Sequence, residues 1–572
     1  MDRRQGRGHP LQGDRPRGDA GAQLPGGAGG AQAGGRRLSG AAWPSPSHQS
    51  EEVLVLRALE ELTRAAEQAL AFLRSQEDVE EAEVFVSCNG ILHTRLNYTS
   101  HIPCNGVEEP KSIENFGIGV QVVLRTAGEE VRRVGFGAEP SDLTLEGARS
   151  ALEKARRAAV ADPEFTSLPR PAGEGRRLAS YHDPRVMDLS GADLVGAGWR
   201  VVRGGLRAFR TSETLQALGR SPEELALILG GDVTVLQERV AICSTAMPRV
   251  QTDESTLILS FITAMVESEG SKGSGYGAAT HLEQFQGEAG EEAARNAVRG
   301  LGGVRVPGGQ YRVVLGRQAV MDILDNLVLP GLSLGTFYAA ASPFQGKLGK
   351  QVASSLFTLV DDGAAPGLVG SKGITCEGLP TGRTELVRDG VLVGLLTNWY
   401  ESQRILRDPR AREKLGVDPQ EWRHAFAPRN GFRFARGGGR HFDQQPGIAP
   451  TNIIIPGNVE TQEELLRLVG DGLYIGRIWY TYPVNGLRAG DFTSTVVGDS
   501  FVIRDGRLAE PIRPNTLRIN DNVHNVLNAI LGIGKDARPT LVWAADEIVY
   551  APEIAVERLQ VESIAEYMES AY

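Results

Sequence analysis

The chain has 572 residues, 41% of them apolar, and a net charge of −10 at neutral pH. That length implies two or more domains and a large buried core. Residues 1–50 hold seven Arg against three Asp, a charge of +4, so the remainder carries −14; an acidic body excludes nucleic acid and anionic membrane as principal partners, because both need a basic face.

Residues 1–50 are rich in Gly, Arg, Pro and Ala and nearly free of Ile, Val and Phe. Such a segment cannot bury enough surface to offset its ordering entropy. It reads as a disordered tail or as an over-extended start, with the true start near Val53, since the next Met is Met187. From Glu51 the pattern changes to apolar residues at helical spacing in "EEVLVLRALEELTRAAEQALAFL". Strands are expected in "AEVFVSC", "ILHTRLNYT", "GIGVQVVLRT" and "RRVGFGA", and helices in "LTLEGARSALEKARRAAVA" and "DLVGAGWRVVRGGLRAF". Strands return in "VTVLQERVAICST" and "STLILSFITAMVES", then a helix in "GEAGEEAARNAVRGL". "VPGGQ" reads as a linker, which places a domain boundary near residue 303 and gives domains 51–302 and 303–572.

The second half is strand-rich. Asp389-Gly390 and Asp505-Gly506 are the pair a type I′ hairpin turn favours, since both central residues need positive φ. "TNIIIPGN" reads as a strand ending in a turn. A helix is expected in "TQEELLRLVGDG", with Thr461 as N-cap, Glu464 at the capping-box spacing and Gly470 or Gly472 ending it. Another is expected in "NDNVHNVLNAILGIG", capped by Asn520 or Asp521. The fold class is therefore α+β: an N-terminal α/β domain, then a strand-rich C-terminal domain with antiparallel hairpins.

Four cysteines, Cys88, Cys104, Cys243 and Cys376, form no CxxC and read as buried reduced thiols. The longest apolar run, "LILSFITAMV", is far short of a membrane span, and the N-terminus lacks the apolar core of a signal peptide. A cytoplasmic location is expected, so the sequon at Asn97 is a pattern only. "GLSLG" (331–335) matches the nucleophile elbow by letters, but a helix and Pro330 precede Ser333 where a strand is needed, so it reads as a Gly-rich loop. "GSKGSGYG" (270–277) fits no phosphate-binding spacing and reads as a flexible surface loop. The histidines show neither H-x-x-x-H nor H-E-x-x-H. Asp361 and Asp362 point to opposite faces if extended, and a turn role with Gly363 is expected for them.

Several stretches resemble the TldD/PmbA family, which is metallopeptidase-related and was labelled a modulator of DNA gyrase. They are "FQGKLGKQVASSLFTLVDDG" (344–363), "EGLPTGRTELVRDGVLVGLL" (377–396), "TNIIIPGN" (451–458), "VGDGLYI" (469–475) and "FTSTVVGDSFVIRDGRLAEPI" (492–512). The resemblance covers most of 310–540 and favours the PmbA (TldE) branch. TldD-type chains carry a helical H-E-x-x-x-H and a later Cys as metal ligands. Counted back from Phe344, those positions fall on Asp325, Asn326 and Pro330, and no Cys follows Cys376. Asn cannot act as a base toward a metal-bound water, and Pro offers no ligand. The stretch "DNLVLPGL" thus reads as the remains of a site, with Pro330 holding Leu329 extended and stopping the helix while Leu324, Leu327 and Val328 fill a core.

The resemblance implies a pseudoenzyme: no catalytic residue and no metal or cofactor in this chain, with zinc in a partner. That partner would be a TldD-type catalytic chain, forming a heterodimer that processes or degrades unfolded peptides. A homo-oligomeric peptide-binding protein without proteolysis and an autonomous hydrolase with an unidentified site remain open, as does a homodimer in isolation.

Overall fold

The alternating apolar pattern of residues 79–99 produces one uninterrupted strand, β1 (Val79–Thr99), where the sequence suggests two. The computed structural model describes residues 56–125, 131–171, 181–435, 438–540 and 548–564, so the expected tail lies outside the described residues. Around β1 stand β2 (Lys111–Leu124), β3 (Arg133–Pro140), β4 (Val160–Ala161), β5 (Leu227–Ser244), β6 (Gln251–Val266) and β7 (Ser271–Ala279). They form one antiparallel sheet in the order β4-β3-β2-β1-β5-β6-β7. Four main helices pack on it: α1 (Leu59–Arg74), α2 (Leu145–Ala158), α3 (Gly191–Arg210) and α4 (Glu288–Arg299). Val84, Val86 and Cys88 of β1 lie in the core that α1 and α2 cover. Phe85 points the other way, into a cluster with Ile374, Phe432 and Phe442 from the second half of the chain. Both faces of the sheet are therefore buried, as the period of two demands when each face carries apolar side chains.

The chain leaves this sheet after α4 and enters β8 (Gly309–Leu315). β8 is an inner strand of a nine-stranded sheet, and strands 359–362, 383–388, 391–392, 452–454, 538–540 and 548–551 form a second, six-stranded sheet. Among the described strands, all pairings are antiparallel except two, 452–454 with 548–551 and 472–475 with β8. Both Asp-Gly turns take the expected form, with φ of 48° and 79° at Asp389 and Gly390 and 49° and 69° at Asp505 and Gly506. Helix Gln462–Val469 starts at Thr461, whose hydroxyl accepts from the Glu464 N–H at 3.2 Å, and ends at Gly470 with φ 71°.

Three expectations are corrected. The Gly-rich 270–277 is strand β7 for most of its length, because α4 lies so close that only Gly fits beneath it: a Cβ on Gly275 would sit 1.9 Å from the Ala289 carbonyl oxygen. The helix expected over 520–534 is confined to Val523–Asn528, with strands on either side, and its cap is Asn522, which accepts from the His524 N–H at 3.0 Å. Cys104 is exposed, whereas burial pushes the thiols of Cys88, Cys243 and Cys376 up to about 12, leaving them inert.

A buried ion network ties the second half onto the sheet. Glu238 on β5 faces Ser255 on β6, with Asp253 two residues away. Arg440 reaches Glu238 at 3.3 Å and Asp253 at 2.6 Å, and Lys372 reaches Glu238 at 2.6 Å. Burial raises the Glu238 carboxyl, but Lys372 and Arg440 outweigh it and hold the group well below the usual range. Nearby, Arg433 pairs with Glu83 of β1 at 2.5 Å, with both side chains buried.

Candidate functional site

A cleft of about 580 Å³ opens between the sheet and the second half of the chain. Its aromatic wall is Phe165, Trp399 and Tyr400, and its acidic groups are Glu83, Asp162, Glu377 and Glu401. Helix Trp399–Ile405 positions three of these side chains, and its N-cap Asn398 accepts from the Glu401 N–H at 3.0 Å. The Trp399 indole donates to the Ser167 carbonyl at 2.8 Å, and Tyr400 donates to Asp162 at 3.1 Å, so both rings are fixed against segment 162–167.

Glu377 is nearly fully buried, and its carboxyl faces a single backbone N–H, that of Trp399, at 3.0 Å and 3.1 Å to the two oxygens. Burial raises it to about 8, with the Glu83 charge adding to the effect and the Trp399 N–H and Arg433 opposing it. Near neutral pH it is mostly a protonated acid, able to donate a hydrogen bond into the cleft. The folded state then holds a proton that the unfolded state has released, so this group's contribution to stability is full below about pH 4.5 and is lost as the pH rises through about 8. Glu377→Gln should flatten this dependence: in denaturant titrations, the drop in stability between about pH 5 and about pH 9 should be smaller than in the parent. An unchanged slope would mean that Glu377 is ionised in the folded protein.

A second, smaller cavity of about 280 Å³ adjoins the cleft, and Ser333, Thr336 and Ile448 line both. Asp325, Leu329 and Pro330 form its inner wall. The helix there does not stop at Leu329 as expected. It runs as α-helix Arg317–Ile323, a π turn Leu324–Val328 and a short helical segment Leu329–Gly331. Leu329 is helical (φ −62°, ψ −44°), and its N–H bonds to the Leu324 carbonyl, five residues back. A regular helix would press the Pro330 ring into the carbonyl four residues earlier, and the wide π turn relieves that clash. Leu324, Leu327 and Val328 are buried as expected.

The π turn has a consequence for spacing. Residues five apart sit about 140° around a regular helix, but an i→i+5 turn stacks them. Asp325 and Pro330 thus face the same cavity. The residues themselves do not fit a metal. Pro330 has no donor atom, and the Asn326 amide turns back to donate to the Asp322 carbonyl at 2.9 Å. Among the described residues no three His, Cys, Asp or Glu side chains converge on a point where an ion could sit.

Ser333 caps the short helix Leu334–Tyr338 with no side-chain bond to it and no His beside it in the cavity. Asp361 is no turn residue. It is buried in strand 359–362 and accepts from Thr451 at 2.7 Å and 2.8 Å and from Asn430 at 2.6 Å, while Asp362 serves the turn by accepting from the Ala364 N–H at 3.0 Å. Sequence reasoning passed over Glu377, Trp399 and Tyr400. The available signal for Glu377 was a lone carboxylate in the Gly- and Pro-rich "EGLPTG", with no basic residue after it until Arg383.

Residues 308–563 match the family described as PmbA/TldA metallopeptidase C-terminal domain. That stretch is a TldD/PmbA-type C-terminal domain. A metalloprotease of Methanothermobacter thermautotrophicus is 26% identical over 258 residues, which is 44% of this chain and 48% of that protein. A metalloprotease TldD homolog of Haemophilus influenzae is 27% identical over 229 residues, 40% and 42% of the two chains. The chain thus spans about half the length of the relatives it matches. TldE from Thermococcus kodakarensis has the same fold, with a TM-score of 0.69 at 18% identity over 87% of this chain and all of that one. Among the described residues, no helix is long and apolar enough to cross a membrane.

Proposed function

We propose that this chain is the TldE-like, non-catalytic subunit of a peptidase pair, and that its cleft holds a segment of unfolded peptide for a TldD-type catalytic partner that carries the zinc. The observation that carries this reading is the small cavity beside the cleft. The π turn brings Asp325 and Pro330 to that cavity, and these two with Asn326 cannot supply a ligand set there. The cleft supplies what a peptide-holding wall needs: Trp399 and Tyr400 offer flat apolar area, and protonated Glu377 offers a donor for a backbone carbonyl.

The test is affinity purification of the full chain from its native cell, followed by a cleavage assay on an unfolded peptide. A second chain bearing H-E-x-x-x-H should co-elute, and cleavage should require both. Zinc-dependent cleavage by this chain alone would overturn the proposal. Rebuilding the local pattern with Asp325→His, Asn326→Glu and Pro330→His should give at most weak zinc binding and no peptidase activity, because no Cys follows Cys376 to serve as the further ligand. Zinc titration with the same cleavage assay checks this.

A further inference from the structure

A second large cavity, also of about 580 Å³, shares no wall with the cleft. It lies where β7 and α4 meet the nine-stranded sheet, at strands Gly472–Ile475 and Phe501–Arg504. A vestibule of about 380 Å³ leads into it, and Glu288, Glu292, Asn296, Arg299, Arg317 and Arg538 line both spaces. Asp499 lines only the inner one.

The charges inside are not matched to each other. Asp499 sits in a tight turn at φ 49°, and its Oδ1 is buried with no hydrogen-bond partner among the described residues. Burial raises its carboxyl to about 7, Arg477 opposes this, the charge of Glu292 adds to it, and the Ser274 backbone and hydroxyl oppose it further. Arg477 donates to the Ser274 hydroxyl and lies 5.2 Å over the Phe261 ring, while its Nε is buried without a hydrogen-bond partner among the described residues. Glu292 is also raised by burial, against the pull of Arg317 and Arg538. At the rim, Arg317 and Arg538 share Asp536. Arg299 makes no ion pair among the described residues and lies 5.1 Å over the Phe501 ring. A buried carboxylate oxygen without a donor is costly unless something brings a donor to it. The inner end therefore suits a cation with several N–H groups, the rim suits a carboxylate, and Phe501 and Pro539 give the space between them an apolar side.

We propose that this cavity binds a small zwitterion, a free amino acid or a dipeptide, with its ammonium toward Asp499 and Glu292 and its carboxylate toward Arg299. This is a site separate from the peptide-holding cleft and does not depend on that reading. The test is calorimetric titration of the full chain with dialanine, with N-acetyl-dialanine and dialanine amide as capped forms, and with inorganic phosphate. Dialanine should bind saturably, and capping either end should weaken binding at least tenfold. Arg299→Gln, at an exposed position, and Asp499→Asn, which keeps a residue tolerant of the left-handed turn, should each weaken dialanine binding at least tenfold. Equal binding of the capped forms, dialanine binding untouched by both variants, a response to phosphate alone, or no binding of dialanine would each overturn the proposal.

Discussion

Arg440→Ala should cost the protein about 3–5 kcal/mol of unfolding free energy, the usual cost of removing one partner from a buried ion cluster. Arg440 is fully buried, and both its backbone N–H and its guanidinium serve Glu238 while the guanidinium also holds Asp253. Truncation would leave Asp253 with the Gly373 N–H and the Tyr181 hydroxyl but no cation beside it. Desolvation of an unpaired carboxylate then dominates over the lost attraction. Urea titration of parent and variant measures the effect, and a loss below about 1 kcal/mol would show that water reaches the cluster. Adding Asp253→Asn to Arg440→Ala should restore part of the loss, since it removes the charge that was stranded. The sign with pH follows from the lowered Glu238 carboxyl: its contribution is present above the ordinary carboxylate range and is lost as the pH falls below it.

Gly275→Val should cost about 3 kcal/mol, at the upper end of what overpacking does. The atoms that a Cβ would strike are backbone: the Ala289 carbonyl oxygen at 1.9 Å and the Ala293 nitrogen at 2.8 Å. Backbone of a packed helix cannot swing aside, so α4 must lift from β7. Gly277 two residues on is the control. There a Cβ meets the Ser260 hydroxyl at 2.9 Å, the end of a side chain that can rotate, and Gly277→Ala should cost less than about 1 kcal/mol. Thermal or urea unfolding of both variants distinguishes them, and equal losses would mean that crowding by α4 is not what selects glycine in this strand.

These glycines also show where sequence reading ended. "GSKGSGYG" has the composition of a loop, and only the helix lying across it explains why a strand would hold so many glycines; that helix is predicted separately and its docking is not written in local pattern. The elements with strong periodicity, α2, α3 and the helix Gln462–Val469, were legible, the last with its cap and its end, and so were the two Asp-Gly turns, because their signals are local. β1 was divided in two because Asn89 and Gly90 look like a break, yet they pair straight through with β2 and β5. Of the three positions that the family resemblance singles out, Asp325 and Pro330 line one cavity and Asn326 does not. The cleft itself was not legible, since its walls come from segments near residues 83, 162–169, 333–336, 377, 398–401 and 445–448, and nothing in the sequence says that these meet.

A π turn is what one surplus residue makes of an α-helix. Deleting one residue from 324–328 would remove the surplus and keep the flanking turns in phase, but it would press the Pro330 ring into the carbonyl four residues earlier, the clash that the π turn relieves. A deletion anywhere in a bulge-free helix such as α3 would instead swing all that follows by about 100°. The five-residue spacing between Asp325 and Pro330 is then a four-residue spacing with an insertion inside it.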